Sequence, residues 1–122
     1  MKIAQQVPVY LLAIVFLVFG LNFFFQFLPM PPMTGDAGTF VGLLYTTKYL
    51  TLVKTLEVIL SIMLFLKSTR SLALILISPI IVNIFLFEIL IAQKPGIGVV
   101  LLILAAIAIY LNRQKYMSIV QA

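Results

Sequence analysis

The sequence predicts an all-α protein, a four-helix transmembrane bundle with a short amphipathic helix between spans one and two. Hydrophobic residues make up 64% of the 122 residues, and the mean hydropathy is +1.26. Charged residues make up only 9%, whereas soluble domains contain roughly 25%. A chain of this length has room for about four spans of ~20 residues and little else. We therefore expect one transmembrane domain over residues 1–122.

The predicted spans cover about residues 9–28, 50–66, 71–92 and 97–111, which are the long apolar stretches of the chain. A loop rich in proline and glycine follows the first span. Within this loop, Asp36 is placed to cap a short helix over about residues 37–47. Its apolar residues recur with the i, i+3, i+4 spacing of an amphipathic surface helix: Phe40, Leu43 and Leu44.

The distribution of basic residues predicts the orientation. With the N-terminus inside, five basic residues fall at cytoplasmic helix ends, namely Lys2, Lys67, Arg70, Arg113 and Lys115. Only Lys48 and Lys94 fall on the outer side. The positive-inside rule then places both termini in the cytoplasm, and we expect an inner membrane of the bacterial type. No basic cluster follows a phosphate backbone, so we expect the lipid bilayer and no nucleic acid as a partner.

The absence of cysteine and histidine excludes several kinds of chemistry. Without cysteine there is no disulfide exchange and no thiolate-bound iron–sulfur cluster. Without histidine there is no histidine-ligated haem and no histidine-based zinc site. The chain also lacks a catalytic triad pattern and a glycine-rich phosphate loop. We expect no metal, no catalytic residue set, and no self-sufficient enzyme.

Uncommon polar residues in the predicted spans are the main functional lead, because charge at membrane depth is unfavourable unless it is paired or lines a cavity. Lys54, Glu57 and Ser61 share one face of span two, at i, i+3 and i+7. The predicted topology gathers six polar residues in the outer half of the membrane: Asn22, Gln26, Lys54, Glu57, Asn83 and Glu88.

Two interpretations of this cluster stay open. In one, Lys54 and Glu57 neutralise each other, and Asn22 and Asn83 hold helices together by hydrogen bonds. In the other, a polar pocket below the loop binds a headgroup, a quinone carbonyl or a polar group of a partner. Glu88 lies five residues after Asn83, about 140° around the helix, and is therefore predicted to serve an interface instead.

A family resemblance rests on short motifs in the same order along the chain. Phe19-Gly20-Leu21-Asn22 precedes the Pro/Gly loop, and Lys54-Thr55-Leu56-Glu57 opens the second span. The basic turn 67–70 and the segment 79–85, Pro-Ile-Ile-Val-Asn-Ile-Phe, follow. In this pattern the chain resembles the DoxX-like family of small four-helix membrane proteins over about residues 9–111, with Glu57 matching the second-span glutamate. Many members carry a basic residue late in the first span, where this chain has Asn22 and Gln26.

The resemblance implies a compact membrane bundle with an extra short helix after the first span. It also implies a role beside membrane redox systems, including quinone-coupled ones, or in assembly of other membrane proteins. Our first hypothesis is an accessory subunit of a redox or envelope-stress system, with quinone as the candidate ligand. The alternative is a non-enzymatic assembly factor with a membrane or extracytoplasmic protein partner. A small proton-coupled exporter ranks lowest, because the first span has no acidic residue.

Overall fold

The computed structural model describes residues 6–28, 33–94 and 96–117, and all regular structure in these ranges is helical. Five α-helices follow one another: α1 Val7–Phe25, α2 Gly35–Thr46, α3 Tyr49–Phe65, α4 Arg70–Leu86 and α5 Ile97–Leu111. A π-helical turn, Phe87–Ile91, extends α4, and a 3₁₀ turn, Arg113–Tyr116, follows α5. The predicted all-α class is confirmed. Pro29, Pro31 and Pro32 of the predicted loop lie outside the described residues.

Four of the helices form a closed ring. α1 packs against α3, α3 against α4, α4 against α5, and α5 against α1. The buried side chains at the centre come from all four of these helices, and the largest include Leu12, Phe16, Leu64, Leu74, Ile77, Ile81 and Leu101. α2 contributes no buried residue and lies across α3 and the π-helical turn at one end of the ring.

Two continuous helices in the described part of the chain are long and apolar enough to cross a membrane. They are Val7–Phe25, with 19 residues, and Arg70–Ile91, with 22 residues. α5 is a shorter apolar helix of 15 residues. α3 has 17 residues and carries Lys54 and Glu57.

The first helix ends earlier than its hydrophobicity predicts. The apolar run continues to Leu28, but α1 stops at Phe25 and Gln26 adopts a left-handed conformation with φ 54°. Asn22 accounts for this ending, because its carbonyl oxygen accepts the Gln26 N–H at 2.7 Å and its side-chain oxygen accepts the Leu28 N–H at 2.7 Å. Hydrophobic length alone does not reveal such a capping group.

Gly20 allows α1 and α3 to approach closely. A Cβ atom at this position would lie 2.7 Å from Cγ2 of Val58. Val58 is β-branched and has little rotamer freedom in a helix, so it cannot turn aside easily. The close contact between α1 and α3 therefore depends on glycine at position 20.

We expect Gly20→Ala to destabilise the bundle by about 1–2 kcal/mol, because overpacking outweighs the gain in helix propensity. Gly42→Ala is the matched control, since a Cβ at Gly42 meets nothing within 4 Å. That control is expected to be neutral or stabilising by up to ~1 kcal/mol. Thermal unfolding of both variants in one detergent measures the difference, and equal melting temperatures would contradict the close packing.

Candidate functional site

A cavity of about 500 Å³ lies between α1, α2 and α3, at the end of the ring where α2 lies. Its walls combine aromatic, aliphatic and polar side chains, namely Phe19, Asn22, Phe23, Gln26, Leu28, Val41, Tyr45, Leu50 and Lys54. This volume lies within the ~300–1,000 Å³ of typical small-molecule sites. Three of the residues predicted from the sequence, Asn22, Gln26 and Lys54, therefore meet in one cavity.

Asn22 has a structural role and also presents a donor to the cavity. It is buried, and both of its oxygens accept backbone N–H groups at the end of α1. Within the described ranges, its side-chain nitrogen has no hydrogen-bond partner. Because the oxygen is already engaged, the group that Asn22 offers to a cavity ligand is an N–H donor.

Lys54 supplies the positive charge of the site. Its Nζ lies 3.4 Å from Oε1 of Glu57, one turn further along α3. Charge-assisted N–H···O bonds are usually about 2.7–2.9 Å long, so this pair is loosely bonded. Lys54 lines the cavity, whereas Glu57 is absent from the lining and is only 3% exposed. The site therefore presents a cation to its ligand and keeps the carboxylate away from it.

The other predicted polar residues lie outside the cavity lining. Ser61 is buried, but its hydroxyl donates to the Val58 carbonyl at 2.7 Å, within its own helix. Asn83 is exposed and donates to the Pro79 carbonyl at 3.0 Å, again within its own helix. The hydrogen bonds of Asn83 in the described residues therefore do not join two helices.

Glu88 contacts α5. Its Oε1 accepts the Gly98 N–H at 2.8 Å, in the first turn of that helix, where backbone N–H groups lack intrahelical partners. A Cβ at Gly96 or Gly98 would collide with the Glu88 carboxylate. These glycines therefore leave room for a negatively charged cap, which the helix dipole also favours.

Sequence reasoning did not predict the aromatic walls of the cavity as a site. Phe23 and Tyr45 meet edge to face, with ring centroids 6.1 Å apart. A usable signal was present, because the cavity residues of the first helical segment recur at i, i+3, i+4 and i+7: Phe19, Asn22, Phe23 and Gln26. No such spacing indicates that Val41 and Tyr45 of α2 line the cavity. Their position depends on how α2 packs against α3.

The opposite end of the ring holds a second group of buried polar residues, which the sequence placed at the membrane surface. Arg70 donates from Nε to the Leu64 carbonyl at 2.9 Å and from Nη2 to the Phe65 carbonyl at 3.2 Å. Nη2 also lies 3.1 Å from the hydroxyl of Tyr10. Arg70 thus caps the C-terminal end of α3, where its charge offsets the helix dipole.

Two further contacts close this end. The Gln6 side chain donates to Asn112 Oδ1 at 3.1 Å, and both residues are buried. Tyr116 donates its hydroxyl to the Ser71 carbonyl at 2.8 Å. Burial raises the pKa of the Tyr116 phenol. All of these residues have intramolecular partners, so this end is a closed polar layer.

Comparison with known proteins adds no relative: no family model, curated protein or solved structure matches this chain. In the described ranges, no group of three or more metal-ligating side chains occurs.

Proposed function

We propose that this protein is a four-span integral membrane protein of the DoxX-like type, with both termini on the cytoplasmic side. The outward faces of the ring support this proposal. Large apolar side chains are exposed on every ring helix, including Leu11, Leu52, Leu72 and Ile103. Such extensive apolar exposure is unfavourable in water and normal against lipid.

α3 fits this arrangement although it carries two charged residues. Its exposed hydrophobic residues, Leu52, Leu56, Ile59 and Ile62, form an apolar outward surface, whereas Glu57 is turned inward and buried. The Gln6–Asn112 bond also holds the start of α1 beside the end of α5. The start of the first helix and the end of the last helix thus lie at the same end of the ring. This supports an even number of membrane spans, with both termini on one side of the membrane.

We infer further that the protein is an accessory subunit of a membrane redox or envelope-stress system and binds the head group of a quinone. The observation that carries this inference is the convergence of Lys54 and Asn22, whose side-chain oxygen is already engaged, on a cavity walled by Phe19, Phe23 and Tyr45. Two N–H donors suit carbonyl oxygens, and aromatic rings suit a flat ring between them. The bilayer supplies such ligands directly.

Lys54→Met is expected to weaken quinone binding about 10- to 100-fold, because a hydrogen bond to a charged group contributes about 1.5–3 kcal/mol. The measurement is titration of the protein in phosphatidylcholine nanodiscs with decylubiquinone, followed by quenching of tyrosine fluorescence. Lys48→Met is the matched control, since Lys48 is exposed and absent from the cavity lining. Equal affinities of the wild type and the Lys54 variant would contradict the proposal.

A second candidate function, a non-enzymatic assembly factor, is supported by the outer surface of α2. This helix has no buried residue, and its Leu43 side chain is 62% exposed. Phe40 is exposed as well. Such a surface suits a membrane or extracytoplasmic protein partner with an apolar patch.

Leu43→Asn is expected to remove copurifying proteins in mild detergent while leaving decylubiquinone binding intact. Thr46→Asn, on the same helix, is the control because Thr46 is polar and exposed. If the Leu43 variant retains the same partners as the wild type, α2 does not dock a client protein.

A further inference from the structure

Lys54 has two competing uses in this structure. Its ammonium group has three N–H donors, and in the described residues its hydrogen-bond partner is Glu57 at 3.4 Å. The same side chain lines the cavity, whereas the buried Glu57 is absent from the cavity lining. Because the 3.4 Å contact is longer than a usual charge-assisted hydrogen bond, an acceptor oxygen in the cavity can draw the ammonium group away from Glu57.

Glu57 has little to replace Lys54. It is 3% exposed, and Lys54 is its ion-pair and hydrogen-bond partner within the described ranges. A buried carboxylate that loses its cation becomes strongly unfavourable and normally responds by binding a proton. Lys54, by contrast, exchanges one acceptor oxygen for another.

We propose that ligand binding in the cavity is coupled to uptake of one proton by Glu57, with Lys54 moving from Glu57 to the ligand. This inference rests on the proposed function, since it requires the cavity to be a ligand site. One proton passes from water to a carboxylate oxygen of Glu57, and the three protons of Lys54 stay in place. No other bond forms or breaks, so the coupling needs no oxidant or reductant.

The packed elements offer Glu57 no second cation. α1 has Tyr10 as its ionisable residue, and Tyr10 lies at the opposite end of the ring beside Arg70. Arg70 of α4 is bonded to the end of α3 at Leu64 and Phe65. The ionisable residues of α2 are Asp36 and Tyr45, an acid and a phenol, and neither can substitute for Lys54.

The coupling is tested by isothermal titration calorimetry in nanodiscs, in two buffers of different ionisation enthalpy. The probes are decylubiquinone and decanesulfonate, an amphiphile with a permanent charge, because neither has a group that titrates near neutral pH. We expect uptake of about one proton per bound probe in the wild type and close to none in Glu57→Gln. Apparent Kd should rise by up to tenfold per pH unit where Glu57 is ionised in the free protein.

Glu88→Gln is the matched control, because it removes the other carboxylate of the ring and retains an oxygen that can accept the Gly98 N–H. This variant should keep the full proton uptake. Infrared difference spectra test the same coupling in the wild type alone. Ligand binding should add the carbonyl band of a protonated carboxyl group. Lys54→Met should lose both the uptake and this band.

The outcomes separate this coupling from the quinone proposal. Quinone binding without proton uptake, or with equal uptake in Glu57→Gln, overturns the coupling and leaves the quinone site in place. Proton-coupled binding of the sulfonate alone supports the coupling and rejects quinone as the ligand. If neither probe binds, both proposals are rejected.

Discussion

Arg70→Met is expected to lower the free energy of unfolding by about 2–4 kcal/mol, through loss of several hydrogen bonds from a charged donor in a buried setting. Arg70 is only 8% exposed, and its guanidinium contacts the carbonyls of Leu64 and Phe65 and the hydroxyl of Tyr10. The variant leaves the end of α3 without this cap. Arg70→Lys should recover only part of the loss, because an ammonium group lacks the planar fork of donors.

Arg113→Met is the matched control for this expectation. Arg113 also donates to a carbonyl, that of Tyr110 at 2.9 Å, and also lies over a tyrosine ring, but it is exposed. Its replacement should change stability by less than about 1 kcal/mol. Thermal unfolding of the three variants in one detergent provides the measurement. If Arg113→Met lowers the free energy of unfolding as much as Arg70→Met does, burial of the arginine does not determine the size of the loss.

Glu88→Ala is expected to be the second most destabilising of these changes, by about 1–3 kcal/mol. The variant leaves the Gly98 N–H without its acceptor and removes a negative charge from the positive end of α5. Glu88→Gln should restore much of the hydrogen bond but not the interaction with the dipole. Hydrogen exchange of the Gly98 amide, together with thermal unfolding, distinguishes local from global loss.

Asp36→Ala provides the comparison, because Asp36 lies in the first turn of α2 and is exposed. It should contribute only the ~0.3–1 kcal/mol of a surface charge near a helix N-terminus. Gly98→Ala tests the same contact from the other side, since a Cβ there also lies 3.0 Å from the Phe85 backbone. If Glu88→Ala and Asp36→Ala have equal effects, the carboxylate of Glu88 does not cap α5.

The sequence predicted the helical class and the element order, because long apolar stretches separated by polar turns carry this information directly. The predicted end of span one was late by three residues, since it was set by hydrophobicity whereas α1 ends where Asn22 captures two backbone amides. The predicted fourth span coincides with α5, residues Ile97–Leu111. Proline and glycine precede its start in the sequence, and such residues indicate a helix boundary.

The site was only partly accessible to sequence reasoning. Helical spacing joined Lys54 to Glu57 correctly, since residues at i and i+3 are neighbours on any helix. The bond between Glu88 and Gly98 joins residues on either side of a turn, and the cavity depends on α2 lying over α3. Such contacts depend on tertiary packing, which periodicity within a single helix does not encode. The buried hydrogen bonds of Arg70 and Asn112 were not predicted, for the same reason.

The hydrogen bond between Gln6 and Asn112 has a consequence for biosynthesis. It joins residues that are 106 positions apart, so the first helix meets its last neighbour only after α5 has been synthesised. Until then, α1 and α3 can pair through Gly20, but the ring stays open between α1 and the position of α5. Closure of the ring is thus a late event that can occur only when synthesis of α5 is complete.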